Sequence, residues 1–170
     1  MDVMAAQRQL IVMRHAKAGE LPGGPDAERA LRPRGCRDAG QAGQWLASRG
    51  VIPQLVLCSK ARRARQTWQY VKAELAAEPE LIGDPRLYEA DADALLGIFA
   101  ATGQAVRRLM YVGHNPAAAT VTEILIGRPV EFPTAAIAII GLEHSWSELS
   151  AGGSAGSGEL IALWTPRAQP

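Results

Sequence analysis

Leu10-Ile11-Val12-Met13-Arg14-His15-Ala16 is the segment that tells most about the fold of this chain. Its apolar run has the length and continuity of a strand that is buried on both faces. The run ends abruptly in an arginine and a histidine, and in open α/β sheets the carboxyl ends of the strands are where ligands bind. Arginine presents a fixed fork of donors to phosphate or carboxylate, and histidine serves as nucleophile or base. The stretch therefore predicts a ligand site at Arg14 and His15.

The composition of the 170-residue chain is that of an ordinary globular protein, with 48% hydrophobic residues and a net charge of +1. A nearly balanced charge gives no support to a nucleic-acid partner, which usually needs a basic face. Residues 1–8 lack the pattern of a signal peptide, and no run approaches the roughly 20 apolar residues of a membrane helix. We therefore expect one domain over residues 1–170, in the cytoplasm, with no nucleic-acid or membrane partner.

The cysteines and histidines suggest no metal or cofactor site. Cys36 and Cys58 belong to no CxxC pair, and the three histidines have no HxxxH spacing. Cys58 ends an apolar run and is expected to be buried and reduced. A phosphatase loop of the Cys-x5-Arg type is excluded, because its arginine position is taken by Ala42 after one cysteine and by Ala64 after the other.

Strand and helix patterns alternate along the chain. The predicted strands are Gln9–Met13, Gln54–Cys58, Leu81–Ile82, Leu109–Val112, Ala136–Leu142 and Glu159–Trp164, and the predicted helices are Arg34–Arg49, Ala61–Ala77, Asp91–Thr102 and Pro116–Leu125. This alternation favours an α/β fold, a three-layer α/β/α sandwich with a mostly parallel central sheet. The glycine-rich segment Ser150–Gly158 has no GxxxxGK[ST] motif and is predicted as a surface connection.

Three of the predicted strands end in polar groups of the same kind. They are Arg14 and His15, then Ser59 with Arg62, Arg63 and Arg65, and finally Gly113-His114-Asn115-Pro116. Taken singly, each group has an ordinary explanation as a surface arginine, a structural histidine or a solvated helix face. His144 follows a predicted strand without another such residue nearby, and we assign it to the surface. Parallel strands would gather the three groups at one sheet edge, beside helix N-termini that favour an anion. A phosphoryl group is the natural occupant.

These segments resemble the motifs of the histidine phosphatase superfamily, the phosphoglycerate mutase-like enzymes. Val12–Ala18 is similar to the Arg-His signature, Cys58–Thr67 to the Ser-x-x-x-Arg-Ala-x-x-Thr motif, and Val112–Pro116 to the second-histidine motif. Asp26–Gly35 resembles the Asp-x-x-Arg-x-Leu-x-x-x-Gly segment of the SixA-type phosphohistidine phosphatases. The resemblance covers about residues 9–164 and implies a phosphoglycerate mutase-like fold with an open site.

The resemblance also implies a mechanism without metal or cofactor. Neutral His15 attacks the phosphorus atom in line and becomes phosphorylated, and water then releases phosphate from the covalent intermediate. Arg14, Arg63 and a protonated His114 hold the equatorial oxygens as charge builds. Ser59 belongs to the same substrate-binding set.

The sequence does not decide which residue donates the proton or which residues form the rim of the site. Glu89 is the positional candidate for a general acid, with Asp91 and Asp93 as alternatives, and a plain acid at a helix start explains each of them equally well. An imidazole leaving group, with a pKa near ~6.5, needs less help from an acid than an alkoxide does. Lys17 and Arg29 either extend the basic rim towards a larger substrate or are solvated loop residues.

Three functions are compatible with these motifs. The short chain and the Asp26–Gly35 segment favour hydrolysis of phosphohistidine in a protein, such as a phosphotransfer domain. The alternative is a phosphatase for a small phosphorylated metabolite, which requires a working acid. A phosphate-binding module without turnover is the third, and the intact set of Arg14, His15, Arg63 and His114 argues against it.

Overall fold

The computed structural model describes residues 7–167, so the expectations for residues 1–6 and 168–170 lie outside the described residues. Strands β1 to β6 cover Arg8–Arg14, Leu55–Cys58, Glu80–Gly83, Arg108–Gly113, Ile137–Leu142 and Gly158–Trp164. Helices α1 to α4 cover Pro33–Ser48, Arg62–Ala73, Ala92–Ala100 and Ala117–Ile126, and short 3-10 helices lie at Asp26–Glu28, Pro85–Tyr88 and Trp146–Glu148. Within residues 7–167, no helix has the length and apolar character needed to cross a membrane.

The six strands form one sheet in the order β3-β2-β4-β1-β5-β6. The β2–β3, β2–β4 and β1–β4 pairs are parallel, whereas β5 runs antiparallel to both of its neighbours. The predicted, mostly parallel sheet is therefore confirmed. Because β1, β2 and β4 are parallel, their carboxyl ends meet at one edge of the sheet.

Helices cover both faces of the sheet, which confirms the three-layer sandwich. Leu10 and Val12 of β1 pack in one hydrophobic cluster with α3 and α4, and Ile11 and Met13 pack in the other with α1 and α2. All four side chains are fully buried, which explains why the run has no polar member. Burial of each stabilises the fold by about 1.5–3 kcal/mol.

One helix is shorter than the sequence predicts, although a side chain beyond its end is still buried in the core. Helix α2 was predicted to continue to Ala77 but ends at Ala73, and Leu75 in the following turn remains buried. Helix α3 begins where the Asp91 carboxylate accepts a hydrogen bond from the Ala94 N–H at 2.8 Å. Helix α4 ends at Ile126, and the φ of 74° at the following Gly127 suits a residue without a side chain.

Candidate active site

The carboxyl ends of β1, β2 and β4 bring most of the predicted polar residues together. They line a pocket of about 460 Å³, here called the central pocket, whose lining includes Arg14, His15, Lys17, Asp26, Arg29, Arg63, Tyr88, His114, Asn115 and Thr134. Arg62 and Arg65, in contrast, are exposed on α2 and line neither this pocket nor the cavity beside it. Arg63 enters it from the first turn of α2. Ser59 lies beneath the pocket, fully buried and hydrogen-bonded to His114. The sheet edge at which the carboxyl ends of the parallel strands meet thus carries a cluster of cationic and titratable side chains.

His15 is held as a neutral imidazole with one nitrogen free to react. Its Nδ1–H donates to the Ala16 carbonyl oxygen at 2.8 Å, so Nε2 carries the lone pair. Burial, with smaller effects of His114 and the nearby guanidiniums, lowers the pKa of His15 to about 3. The Nε–H of Arg63 donates to Nε2 at 3.3 Å. An unprotonated nitrogen therefore faces the pocket beside a positive charge.

Asp26 holds one edge of the Arg63 guanidinium and leaves the other edge facing the histidines. Arg63 Nη1 donates to the Asp26 carbonyl oxygen at 2.9 Å, and Nη2 donates to the Asp26 carboxylate at 3.0 Å. The opposite edge, formed by Nε and Nη2, lies 3.3 Å from His15 Nε2 and 3.5 Å from His114 Nδ1. Such a pair of parallel donors suits two oxygens of one phosphoryl group.

Asp26 and Tyr88 belong to the site, although the sequence motifs assign neither residue a role. The Tyr88 hydroxyl donates to the Asp26 carboxylate at 2.5 Å, and Arg29 Nε donates to the same carboxylate at 2.9 Å. The Tyr88 bond, together with Arg63 and Arg29, lowers the pKa of Asp26 to about 2. The Asp-x-x-Arg segment was the signal that pointed to Asp26, whereas nothing in the sequence pointed to Tyr88.

His114 is neutral in the pocket without an anion, and its protonation while it holds a phosphoryl group stays a prediction. Burial, followed by the charge of Arg63, lowers the pKa of His114 to about 4. Its Nε2–H donates to Ser59 Oγ at 2.8 Å, and its Nδ1 faces Arg63. The two imidazole rings have centroids 5.2 Å apart. Burial is the main reason that the ring is neutral, and the charges of the nearby guanidiniums add to its effect.

Arg14 completes the cationic wall opposite Arg63. Its Nη1 donates to the Phe132 carbonyl oxygen at 3.3 Å, and Asn115 Nδ2 donates to the same oxygen at 2.9 Å. Arg14 Nε is buried and has no hydrogen-bond partner among the described residues. Burial also lowers the pKa of this guanidinium. A buried donor without a partner is a group that an anion in the pocket would satisfy.

The remaining predicted site residues fall into two groups. Lys17 and Arg29 line the central pocket, the first exposed and the second bound to Asp26. Glu89 is exposed and does not line the central pocket; it lines a neighbouring cavity together with Asp91 and Asp93. The Asp91 carboxylate is engaged as the cap of α3. The structure therefore places the basic candidates at the central pocket and the acidic candidates beside it.

The other reactive side chains lie outside this arrangement. Cys58 is buried as predicted, and burial raises the pKa of its thiol to about 12. His144 is half-buried and lines neither the central pocket nor the neighbouring cavity. Among residues 7–167, no group of three or more His, Cys, Asp or Glu side chains is arranged to hold a metal ion.

Comparisons with known proteins agree with the geometry. Residues 10–135 match the family described as the histidine phosphatase superfamily (branch 1). An uncharacterized protein of Mycobacterium leprae is 33% identical, over 91% of this chain and 100% of that protein. Phosphohistidine phosphatase SixA of Escherichia coli is 31% identical, over 81% of this chain and 87% of that protein.

The fold comparison leads to the same family. A solved structure assigned as phosphohistidine phosphatase SixA from Nakamurella multipartitia superposes with a TM-score of 0.81 and 29% identity, over 95% of this chain and 98% of that one. The fold is that of the phosphoglycerate mutase-like histidine phosphatases. The chain therefore belongs to the histidine phosphatase superfamily (branch 1), in its SixA-type branch.

Proposed function

We propose that this phosphatase hydrolyses phosphohistidine in a protein, through a covalent phosphohistidine intermediate on His15. The observation that carries the proposal is the neutral, buried His15, whose free Nε2 faces Arg63 and lies in a pocket with Arg14 and His114. A phosphotransfer domain is the kind of partner we expect, and the cytoplasm is the proposed location. The identity between this chain and a SixA phosphatase supports the substrate class.

In the first step, the lone pair on His15 Nε2 attacks the phosphorus atom in line. The bond between phosphorus and the leaving nitrogen breaks on the opposite side, and the leaving imidazole takes up a proton from solvent water. The Nδ1–H bond to the Ala16 carbonyl oxygen stabilises the positive charge that develops on the attacking ring. In the second step, water attacks the phosphorus of the intermediate, releasing phosphate and restoring neutral His15.

Charge on the transferred phosphoryl group is stabilised by donors that are already in position. Arg63 offers the edge formed by Nε and Nη2, which contacts the two histidines until phosphoryl oxygens replace them, and Arg14 lines the same pocket. A phosphoryl anion between them opposes the effect of the guanidiniums on His114 and raises the pKa of that histidine. His114 then gains a proton when the anion binds, and it becomes a third cationic donor.

We also propose that the reaction needs no metal ion. Arg14 and Arg63 supply the positive charge that a divalent cation supplies in other phosphoryl-transfer enzymes. Turnover is therefore expected to be unchanged after the enzyme has been treated with excess EDTA and dialysed. A loss of activity that Mg²⁺, Mn²⁺ or Zn²⁺ restores would contradict this part of the proposal.

A phosphatase for a small phosphate monoester is the second candidate. The observation that favours it is Glu89, a carboxylate beside His114 in the neighbouring cavity, where it could protonate a leaving alkoxide. Protein phosphohistidine is preferred because its imidazole leaving group does not require that acid, and because Glu89 lies outside the central pocket.

A side-by-side assay tests the proposal. The purified protein is given a phosphohistidine protein or peptide and a set of phosphate esters, and kcat/KM is measured for each. We expect kcat/KM for phosphohistidine to exceed that for any ester by about tenfold or more, as a difference in leaving-group basicity predicts. Efficient ester hydrolysis with no release of phosphate from phosphohistidine would contradict the proposal and favour the small-molecule phosphatase.

A further inference from the structure

We propose that the cavity beside the central pocket binds the polypeptide that flanks the phosphorylated histidine of the substrate, and that it selects a segment pairing an apolar side chain with a lysine or arginine. This cavity, of about 460 Å³, is here called the side cavity. The inference rests on the proposed function, because it concerns the protein part of a phosphohistidine substrate.

The side cavity is continuous with the central pocket. Tyr88, His114 and Asn115 line both, whereas His15 and Arg63 line only the central pocket. In an in-line displacement the leaving group departs on the side of the phosphorus atom away from His15 Nε2. Because His114 lines both cavities and His15 lines only the central pocket, we place the residues attached to the leaving imidazole in the side cavity.

The floor of the side cavity suits an apolar side chain. It is formed by Ala90, Ala92, Pro116, Ala117 and Ile124, which come from α3, α4 and the segments before them. These short side chains leave a depression that an aliphatic residue of the substrate can fill. Burial of such a residue contributes binding energy that a small phosphate ester cannot obtain.

The rim of the side cavity has the opposite charge to the rim of the central pocket. Glu89, Asp91 and Asp93 line the side cavity, and Lys17 and Arg29 line the central pocket. A substrate segment with a basic residue next to the apolar one is therefore attracted to the side cavity, and an acidic one is repelled. This charge difference also fixes the direction in which the segment lies across the site.

Filling the side cavity with a bulky residue tests the inference. Thr120 lines the cavity from an exposed position on α4, so Thr120→Trp obstructs the cavity without disturbing the core. We expect kcat/KM for a phosphohistidine peptide to fall about tenfold or more through a higher KM, and hydrolysis of free phosphohistidine to change by less than about twofold. Ala101→Trp, also exposed but at the far end of α3, is the matched control and should change neither value.

A charge-swap series completes the experiment. Peptides that carry one phosphohistidine, a flanking leucine and either lysine or glutamate are compared, with wild-type kcat/KM expected to be about fivefold higher for lysine and the preference reduced at high salt. Equal values for lysine and glutamate, or an unchanged peptide KM in a folded Thr120→Trp, would overturn the side-cavity inference while leaving the proposed function intact. If wild-type protein hydrolyses neither free nor peptide phosphohistidine, the proposed function fails, and this inference fails with it.

Discussion

The central pocket and the side cavity have the same volume, about 460 Å³ each, but their side chains are held very differently. In the central pocket His15 and Arg63 are buried and fixed by hydrogen bonds to the backbone and to Asp26. In the side cavity Glu89 is exposed, and no hydrogen bond holds it to the described residues. His15 and Arg63 are thus positioned before a substrate binds, whereas Glu89 is free to adjust although Asp91 in the same cavity is fixed as the cap of α3.

Removal of the nucleophile should have the largest effect on the central pocket. His15→Ala is expected to lower kcat by about 10⁴-fold, because the covalent route is lost and only binding and electrostatic groups remain. The acid-labile phosphoenzyme, trapped with ³²P-labelled substrate, should disappear as well. His144→Ala is the matched control, since that histidine lies outside both cavities. A His15→Ala protein with undiminished turnover would refute the covalent mechanism.

Loss of the Asp26 carboxylate tests whether the organisation of the central pocket matters for rate. Asp26→Ala removes the carboxylate that accepts from Arg63 Nη2 and keeps the backbone carbonyl that accepts from Nη1. We expect kcat to fall by about 50-fold, because Nη2 is then less well oriented towards the transferred phosphoryl group. Asp26→Asn keeps an oxygen acceptor for Arg63 and should retain about a fifth of the activity. Glu28→Ala, in the same 3-10 helix, is the control. Equal losses in Asp26→Ala and Asp26→Asn would assign the effect to charge and not to orientation.

The pKa values of the two histidines predict a pH dependence of stability. His15 and His114 have pKa values of about 3 and about 4 in the folded chain, below the ~6.5 of an unfolded histidine. Between those limits the unfolded chain binds more protons, so the free energy of unfolding decreases as pH falls below ~6.5, by up to about 1.4 kcal/mol per pH unit for each histidine. Chemical denaturation from pH 8 to pH 4.5 measures this.

NMR of the imidazole rings provides the direct control for that prediction. In the anion-free protein, neither ring should titrate between pH 8 and pH 5. Added inorganic phosphate should move the titration of His114 upward, because a bound anion favours the protonated ring. A ring that titrates near pH 6.5 without phosphate would contradict the neutral state described for the central pocket.

The smallest effect is expected at the side cavity. Glu89→Gln should change hydrolysis of protein phosphohistidine by less than about threefold, because an imidazole leaving group has little need of an acid. Glu80→Gln, exposed on the edge strand β3, is the control. A decrease of about 10²-fold on phosphate esters, found together with efficient ester turnover by the wild type, would make Glu89 a general acid and favour the second candidate function.

The sheet and the positions of the main site residues could be predicted because they depend on local patterns. The apolar run before Arg14 and His15 predicts a buried strand, and the parallel arrangement of three such strands places their carboxyl ends together. The protonation state of His114 could not be obtained in this way, because it depends on burial and on Arg63, which lies 51 positions away. Charges that only the folded chain brings together have no signature in the local sequence.

The hydrogen bonds of Asp26 show the same limit at the level of contacts. Asp26 is separated from Arg63 by 37 positions and from Tyr88 by 62. Asp26 belongs to the Asp26–Gly35 segment that carries a family motif, but the partners of its carboxylate depend on how a loop folds over α2. Periodicity constrains regular elements and does not constrain such a loop.

One buried hydroxyl links the segments that carry His15 and Arg63. Thr67 Oγ1 accepts a hydrogen bond from the Ala16 N–H at 2.9 Å and donates one to the Arg63 carbonyl oxygen at 2.7 Å. The segment that follows β1 and the first turn of α2 are thereby joined at a single atom. Thr67 is thus a joint between two motifs, because its bond to Ala16 spans 51 positions of the sequence.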